Sequence, residues 1–293
     1  MLALDLGIFQ RRAHFPSMKE ATIWSVAWVS LALLYDLFLF FDLGHVKALE
    51  FLTGYLVEEA LSVDNIFVFV VIFTYFSVPA ELQHRVLFWG VLSAVVLRGI
   101  FIVAGAALVA KFHWILYLFG VILIVTAIKL LVQKETEVQP DKNPFIRFFR
   151  KFFAVTEHYE GKKFFVRRNS KRYITPLFLV LVMIETTDIA FATDSIPAIF
   201  AITRDPVIIY TSNIFAILGL RTLYFVLAGV MKKFRYLKIG LSAVLCFIGV
   251  KMLVEPWFRI SIMVSLSVIF ILLFTTILVS LLSERNGKAV KRS

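Results

Sequence analysis

Eight apolar segments of this chain are each long enough to cross a lipid bilayer. A helix that spans the hydrocarbon core needs about 20 apolar residues, because each residue adds about 1.5 Å to a core about 30 Å thick. Lipid offers no hydrogen bonds, so a crossing segment must satisfy its own backbone as a helix. The segments run over 21–43, 48–76, 86–109, 114–133, 175–203, 206–230, 237–254 and 258–282. The sequence therefore predicts an all-α fold, a polytopic bundle of transmembrane helices surrounded by the lipid bilayer.

Composition excludes several other classes of protein. Hydrophobic residues make up 60% of the 293 positions, charged residues 17%, and the mean hydropathy is +0.87, which lies outside the range of soluble domains. The net charge of +11 does not indicate a nucleic-acid partner, because no segment is long enough to form a soluble basic domain. A single cysteine, Cys246, excludes an internal disulfide framework. With no phosphate-binding glycine loop, zinc-protease motif or nucleophile beside a base, we expect neither an enzyme nor a tightly bound cofactor.

The charges between the segments predict which way the helices run, because basic residues concentrate on the cytoplasmic side. The N-terminal arm, the connections 77–85, 134–174 and 231–238, and the C-terminal tail together carry a net charge of about +15, whereas the opposite connections carry about +1. We therefore expect the C-terminus and the 134–174 linker to be cytoplasmic. The sequence leaves the oligomeric state open.

The parts that flank the central spans differ in composition. The first nine residues are apolar but too short to cross alone, so we interpret 1–20 as a partial span with a basic arm, and 21–47 as the first full span. Residues 256–293 are interpreted as the last span and a basic cytoplasmic tail. Within the basic linker, the stretch from Phe145 to Phe153 alternates Phe with Arg and Lys. This pattern is consistent with an amphipathic helix on the anionic leaflet or with a solvated basic loop.

The chain contains an internal repeat. The segment from Phe112 to Gln133 aligns without a gap to the segment from Phe234 to Glu255. Three spans separate the start of one copy from the start of the next, and an odd number of crossings inverts the second copy. We therefore predict two inverted three-helix repeats, 48–133 and 175–255, with flanking helices. Inverted repeats place a binding site near the bilayer midplane, where the two copies meet.

Both copies carry charged residues at matching positions, namely Glu58 with Asp188, Asp64 with Asp194, and Arg98 with Arg221. A carboxylate near the bilayer centre costs about 2.5–3.5 kcal/mol on insertion scales, so a cluster of carboxylates indicates an ion or substrate path. Pro197 has no amide hydrogen to donate to the preceding turn, so we expect a kink or break there. Unwinding near Ala192 to Ser195 would bring both acids of the second copy into one cavity.

Several long motifs resemble one protein family. They are EFLTGYLVEEALSVDNIFVF at 50–69, ELQHRVLFWG at 81–90, and DSIPAIFAITRDP and TSNIFAILGLRTLYF between 194 and 225. With these motifs the chain resembles the TerC family of membrane proteins, in particular its Alx-like, manganese-exporting branch. The resemblance implies a multi-pass protein of the bacterial inner membrane that exports divalent cations, chiefly Mn²⁺. It also implies a historical link with tellurium resistance.

The candidate ligands of the transported cation are acids and an amide within the spans, namely Glu58, Asp64, Asn65, Glu185, Asp188 and Asp194. Candidate supporting residues lie beside them or at matching repeat positions, namely Thr187, Thr193, Ser195, Arg98 and Arg221. Structural ion pairs are the alternative role for the two arginines. An all-oxygen set suits hard cations such as Mn²⁺, Mg²⁺ or Ca²⁺, and the choice of Mn²⁺ comes from the resemblance alone.

The expected mechanism is alternating access, in which Asp64, Asp188 and Asp194 capture a cation from the cytoplasm and rocking of the repeats releases it outside. Protons are the natural counter-ion, because carboxylates left without a metal repel one another. Two other classes remain as alternatives. One is a membrane scaffold or stress-resistance protein of the tellurium-resistance type, which acts through partners at the linker. The other is a passive cation channel.

Overall fold

The computed structural model describes residues 18–112, 114–132, 143–168, 171–228 and 236–290. Within these ranges the chain forms helices α1 (Met18–Asp42), α2 (His45–Tyr75), α3 (Ala80–Lys111), α4 (Ile115–Val132), α5 (Pro144–Phe152), α6 (Pro176–Phe200), α7 (Pro206–Ala228), α8 (Leu237–Val254) and α9 (Ile262–Val290). Three short strands lie between α5 and α6, namely β1 (Ala154–Val155), β2 (Phe165–Arg168) and β3 (Lys171–Ile174). The predicted partial span at 1–9 lies outside the described residues.

The predicted helical bundle is confirmed. Six helical stretches are long and apolar enough to cross a membrane: α1, α3, α4, α6, α8 and Ile262–Ser280 of α9. The other two predicted spans are also helices, α2 and α7. Buried and half-buried acids interrupt the apolar stretch of α2, and Pro206–Leu220 of α7 is a shorter apolar helix. The protein is therefore an integral, multi-pass membrane protein.

Local sequence explains where several helices begin. Pro144 and Pro176 stand in the first turns of α5 and α6. An amide in the first turn has no hydrogen-bond acceptor within the helix, so proline, which lacks the amide hydrogen, fits there. Asn143 caps α5 by accepting hydrogen bonds from the amides of Phe145 and Ile146 at 2.9 and 3.2 Å. Between α1 and α2 the chain reverses at Gly44, whose φ of 87° is readily adopted by glycine.

Helix directions follow from contacts along the bundle. Gly54 near the start of α2 lies against Ile199 near the end of α6, so these two helices are antiparallel. By contrast, α3 and α6 are parallel, since Gly90 faces Ile184 and Gly105 faces Phe200. Consequently α2 ends where α3 and α6 begin, and we call this the linker end of the bundle. The opposite end is called the distal end.

Helices α4 and α8 make a close backbone contact. A Cβ atom on Gly120 would lie 3.0 Å from the carbonyl oxygen of Gly249, and one on Gly249 would lie 2.8 Å from that of Gly120. About two turns along each helix from this contact, Ser242 Oγ donates to the Ala127 carbonyl oxygen at 2.5 Å. In the repeat alignment Gly120 matches Ser242 and Ala127 matches Gly249, so the two contacts occupy equivalent positions. The inverted relation of the two halves stays a prediction, and this pairing is the contact that it requires.

The linker forms a small folded unit at the linker end. Strand β3 pairs in parallel with β1 and antiparallel with β2, in the order β1-β3-β2. Ile146 of α5 is fully buried in the apolar core that α2, α3, α6 and α7 share. Of the two alternatives that the sequence left open for this stretch, the structure therefore shows the amphipathic helix and not the solvated loop. The sequence does not predict the strands, because a strand of four residues or fewer is too short to show an alternating pattern within a basic loop.

The predicted unwinding near Ala192 to Ser195 is wrong. Helix α6 is continuous from Pro176 to Phe200 and includes Pro197. Neighbouring helices and Ser or Thr groups allow proline within transmembrane helices, since the loss of one backbone hydrogen bond does not end the helix there. On a continuous helix, Asp188 and Asp194 project about 120° apart, and they face different partners.

Candidate metal-binding site

A cavity of about 60 Å³ lies among the membrane helices. Its polar lining comes from Asp64, Asn65, Arg98, Thr126, Asp194 and Ser195, and its apolar lining from Leu61, Leu130, Phe191, Leu241 and Leu245. A cavity needs roughly 10–15 Å³ to hold one water molecule. The volume therefore suits a cation that keeps a few of its waters.

Helix α2 presents three of these residues at helical spacing. Leu61, Asp64 and Asn65 stand at positions i, i+3 and i+4, which share one face of a helix. Asn65 is only 3% exposed, and its Oδ1 has no hydrogen-bond partner among the described residues. A buried amide oxygen without a partner is destabilising unless a water or an ion occupies the space beside it.

Helix α6 repeats that spacing from the other side of the cavity. Phe191, Asp194 and Ser195 again stand at i, i+3 and i+4. Thr126 Oγ1 of α4 donates to Asp194 Oδ1 at 2.7 Å, which fixes one carboxylate oxygen. Ser195 is 2% exposed, and its Oγ has no partner in the part of the chain that the structure describes. The repeat-related acids Asp64 and Asp194 thus line one cavity.

Two lysines compensate these acids. Lys238 at the start of α8 interacts electrostatically with Asp64, and Lys129 of α4 interacts with Asp194. Two carboxylates, one amide and two hydroxyls give five side chains with oxygen donors, and the lining contains neither His nor Cys. Such a set can bind a hard divalent cation, whose charge would replace that of the lysines.

A buried charge cluster adjoins the cavity around Arg98 of α3. Its guanidinium is 2% exposed and forms an ion pair with Glu58 of α2 through Nη1. The same Nη1 donates to Asn213 Oδ1 of α7 at 2.7 Å, and Nη2 lies 3.6 Å from Asp188 Oδ1 of α6. The Arg98 side chain thus connects α3 to three other helices. With two carboxylates around it, the cluster carries a net charge of −1 when all three groups are ionised.

The other candidate ligands lie outside the cavity. Glu185 accepts a hydrogen bond from Ser93 of α3, and its Oε2 has no partner among the described residues. Thr187 and Thr193 donate to carbonyl oxygens of their own helix, at 2.6 and 3.2 Å, and Thr193 is exposed. The side chain of Arg221 lies outside the described part of the structure.

The structure does not bring Asp64, Asp188 and Asp194 together on one ion. Among the described residues, no three His, Cys, Asp or Glu side chains form a group suited to a metal. Asp188 faces Arg98 instead, because the continuous helix points it away from the side that carries Asp194. The cavity therefore holds two of the three acids, and the third lies in the adjoining cluster.

A family model described as "Integral membrane protein TerC family" matches residues 43–288. The chain belongs to the TerC family. The resemblance seen in the motifs is thereby confirmed, and α1 precedes the matched range.

Named relatives agree with this membership. An "Uncharacterized membrane protein STKORF319" from Myxococcus xanthus is 52% identical over 287 residues, which cover 98% of this chain and 90% of the relative. The "Putative membrane-bound redox modulator Alx" of Salmonella typhi is 48% identical over 289 residues, covering 96% and 90%. Its namesake from Escherichia coli strain K12 is 48% identical over 298 residues, covering 98% and 93%. No solved structure matches this TerC chain significantly.

Three polar residues of this TerC protein bond to the candidate site residues, although the sequence did not predict them. Thr126 bonds Asp194, Asn213 bonds Arg98, and Ser93 bonds Glu185. Each interrupts an apolar span, which was the available signal. An isolated hydroxyl usually satisfies itself on its own helix, as Thr187 does, so composition alone does not distinguish the two cases.

Proposed function

We propose that this protein exports divalent cations, foremost Mn²⁺, from the cytoplasm by alternating access. One observation carries the proposal: a cavity within the membrane helices is lined by two carboxylates and three neutral oxygen-bearing side chains, two of which lack partners among the described residues. Carboxylates and unpaired polar atoms are expensive at this depth, and their combined presence is accounted for by an ion that binds there.

The donor chemistry supports a hard cation. Carboxylate, amide and hydroxyl oxygens suit Mn²⁺, Mg²⁺ and Ca²⁺, whereas Zn²⁺ and copper favour His and Cys, which are absent from the lining. Mn²⁺ is chosen from these ions on the family resemblance. Glu185 and Asp188 are nearer the linker end of α6 than Asp194 is, so in this proposal they receive the cation on its way from the cytoplasm.

In this proposal, Arg98 and its two carboxylate partners form the part of the site that rearranges when a cation arrives. Glu58 is hydrogen-bonded to the Arg98 guanidinium, whereas Asp188 lies 3.6 Å from it, so Asp188 is the acid more readily turned toward an arriving cation. Rocking of the two halves would then close one side of the cavity and open the other. Protons taken up by the vacated carboxylates would restore charge balance after release.

The proposed direction depends on location. The family resemblance supports a location in the bacterial inner membrane. The charge asymmetry of the connections supports placing the linker and the C-terminus in the cytoplasm. Relatives bear the name redox modulator. This chain has one cysteine and therefore cannot form an internal dithiol pair, so we propose that a redox effect would follow from metal balance.

The test is Mn²⁺ flux in proteoliposomes with an imposed pH gradient. We expect flux that is driven by the gradient and falls at least tenfold in Asp64→Asn and Asp194→Asn, since loss of groups around a metal costs about 10–100-fold. Asp36→Asn is the matched control, because it neutralises an acid of α1 that does not line the cavity.

Each alternative gives a different result. Flux without proton movement would indicate the passive channel. Absence of flux, with activity in cells lost only when the 134–174 linker is replaced, would indicate the scaffold. Unchanged flux in both cavity variants would refute the proposed binding site.

A further inference from the structure

The linker unit exposes a row of phenylalanines. Phe145, Phe148 and Phe152 stand at i, i+3 and i+7 of α5 and are 50%, 54% and 63% exposed. Phe165 of β2 is 58% exposed, and its ring contacts Phe178, the residue that Phe149 of α5 also contacts. We call these four residues the aromatic ridge. Exposed apolar patches of this kind mark sites of interaction with protein or membrane.

Helix α5 has three separate faces. At 100° per residue, Ile146 and Phe149 form one face, which packs into the bundle: Ile146 is fully buried and the Phe149 ring lies 5.0 Å from that of Phe178. The ridge forms the second face. The third, about 140° from the ridge, carries Arg147, Arg150 and Lys151. This is the pattern of a helix that lies in a membrane interface.

Contacts with α6 locate α5 along the length of the bundle. Asn143 Nδ2 lies 3.4 Å from Met183 Sδ, and Met183 is seven residues into α6, or about 10 Å from its start. Phe149 meets Phe178 close to that start. Helix α5 therefore lies beside the first two turns of α6, within about 10 Å of one end of a helix that is long and apolar enough to cross a membrane. Interfacial helices insert to a comparable depth of about 5–10 Å.

The unit is held firmly in this position. Tyr159 donates its hydroxyl to the Phe76 carbonyl oxygen at 2.7 Å, and the Arg85 guanidinium lies 5.1 Å from the centre of the Phe164 ring. Burial raises the pKa of Tyr159 to about 12, so this hydroxyl stays a donor at physiological pH. The ridge is consequently presented in one orientation at the linker end.

The excess of basic residues in the linker unit indicates an anionic partner for the ridge. From Asn143 to Ile174 the chain has nine Lys and Arg residues and two Glu residues. Lys151, Lys162, Lys163 and Arg167 are all exposed. We propose that the ridge and these basic side chains form a binding surface for anionic phospholipid, in which the phenyl rings lie among acyl chains and the cations contact phosphate. The proposal goes beyond cation export and does not depend on it.

Spin labels test the surface on the full-length protein reconstituted in vesicles. In a Cys246→Ser background, Phe148→Cys and Phe152→Cys place labels on the ridge, and Glu157→Cys places a control label on an exposed acidic position that is not part of the ridge. We expect the ridge labels to be accessible to oxygen and protected from a water-soluble nickel complex, and the control label to be accessible to nickel. In addition, the ridge labels should lie deeper when phosphatidylglycerol is added to phosphatidylcholine.

Neutralising one charge tests the headgroup contact. In the Phe148→Cys variant, Lys151→Gln should raise the phosphatidylglycerol fraction needed for half of the depth change by about fivefold, the effect of one basic residue near an anionic surface. Nickel access at both ridge labels would overturn the proposal, and so would depths that do not respond to phosphatidylglycerol. Spin–spin broadening at the ridge would show that a second copy covers it and would also overturn it.

Discussion

Arg98 is a charged residue buried among the membrane helices. Its guanidinium is almost completely removed from solvent, and it is stabilised by Glu58, Asn213 and Asp188 from three other helices. A buried ion pair gains little overall, since desolvation offsets most of the attraction, but removal of one partner leaves an uncompensated charge. The cluster is therefore sensitive to single substitutions.

We expect Arg98→Met to lower stability by about 3–5 kcal/mol, because Glu58 and Asp188 would then lie buried without a cation. Arg204→Met is the control: it removes the Arg204–Glu255 pair, whose side chains are 49% and 48% exposed, and should change stability by about 0–1 kcal/mol. Unfolding in mixed micelles measures both. The triple change of Glu58→Gln, Arg98→Met and Asp188→Asn should recover most of the loss, and failure to do so would contradict the charge explanation.

At the scale of the element, the α4–α8 pair depends on small residues. The backbones approach at Gly120 and Gly249 as small residues permit in membranes, where close packing rather than hydrophobicity drives association of helices. The opposing atoms are backbone carbonyl oxygens, which cannot rotate away as a side chain does. These two helices also supply Thr126, Leu241 and Leu245 to the cavity, so their separation affects the site.

We expect Gly249→Ala to destabilise the protein by about 1–3 kcal/mol, the usual effect of overpacking, because its Cβ would lie 2.8 Å from the Gly120 carbonyl oxygen. Gly99→Ala is the matched control, since its Cβ would meet only the movable ring of Tyr210 at 3.2 Å. Thermal unfolding in detergent compares the two variants. Equal midpoints would mean that α4 and α8 are not held at this contact.

The distal end is closed by charged groups between elements. Lys47 of α2 lies 3.0 Å from Glu50 and 3.1 Å from Asp205, and Asp205 caps α7 by accepting from the Val207 amide at 3.0 Å. Partial burial raises the pKa of Asp205, but bonds from Lys47 and Val207 outweigh it and hold the pKa below its usual 3.8. The net lowering means that the ionised form stabilises the fold.

This lowered pKa predicts a pH dependence. The stabilisation by Asp205 is complete above pH 3.8, the ordinary value for the group, and is lost as pH falls through its lower value in the folded state. Asp205→Asn keeps the cap and removes the charge, so the difference in melting temperature from the unsubstituted protein should be constant at neutral pH and shrink in acid below pH 3.8. A difference that persists in acid would assign the effect to the cap.

At the scale of the whole molecule, the two ends differ in charge and in structure. The folded linker unit lies at one end, with nine Lys and Arg residues against two Glu from Asn143 to Ile174. At the distal end, Trp257 between α8 and α9 is 83% exposed. If basic residues determine orientation, these two ends lie on opposite sides of the membrane with the linker inside.

Labelling with a membrane-impermeant maleimide tests this orientation in a Cys246→Ser background. Trp257→Cys should react in intact cells, whereas Glu157→Cys in the linker should react only after the membrane is permeabilised. Both sites are exposed, so the difference in labelling would reflect sidedness. The opposite pattern would reverse the proposed direction of transport.

The sequence alone was sufficient for the helical bundle, the approximate bounds of eight helices, the family and the acids of the cavity. These follow from local quantities, namely the length of an apolar run and the cost of a carboxylate within it. Only the tertiary structure decided that α6 stays helical through Pro197, that Asp188 faces Arg98, and that Thr126 faces Asp194. Which side chains meet depends on how distant helices pack, and the spacing of residues along one helix carries no information about its neighbour.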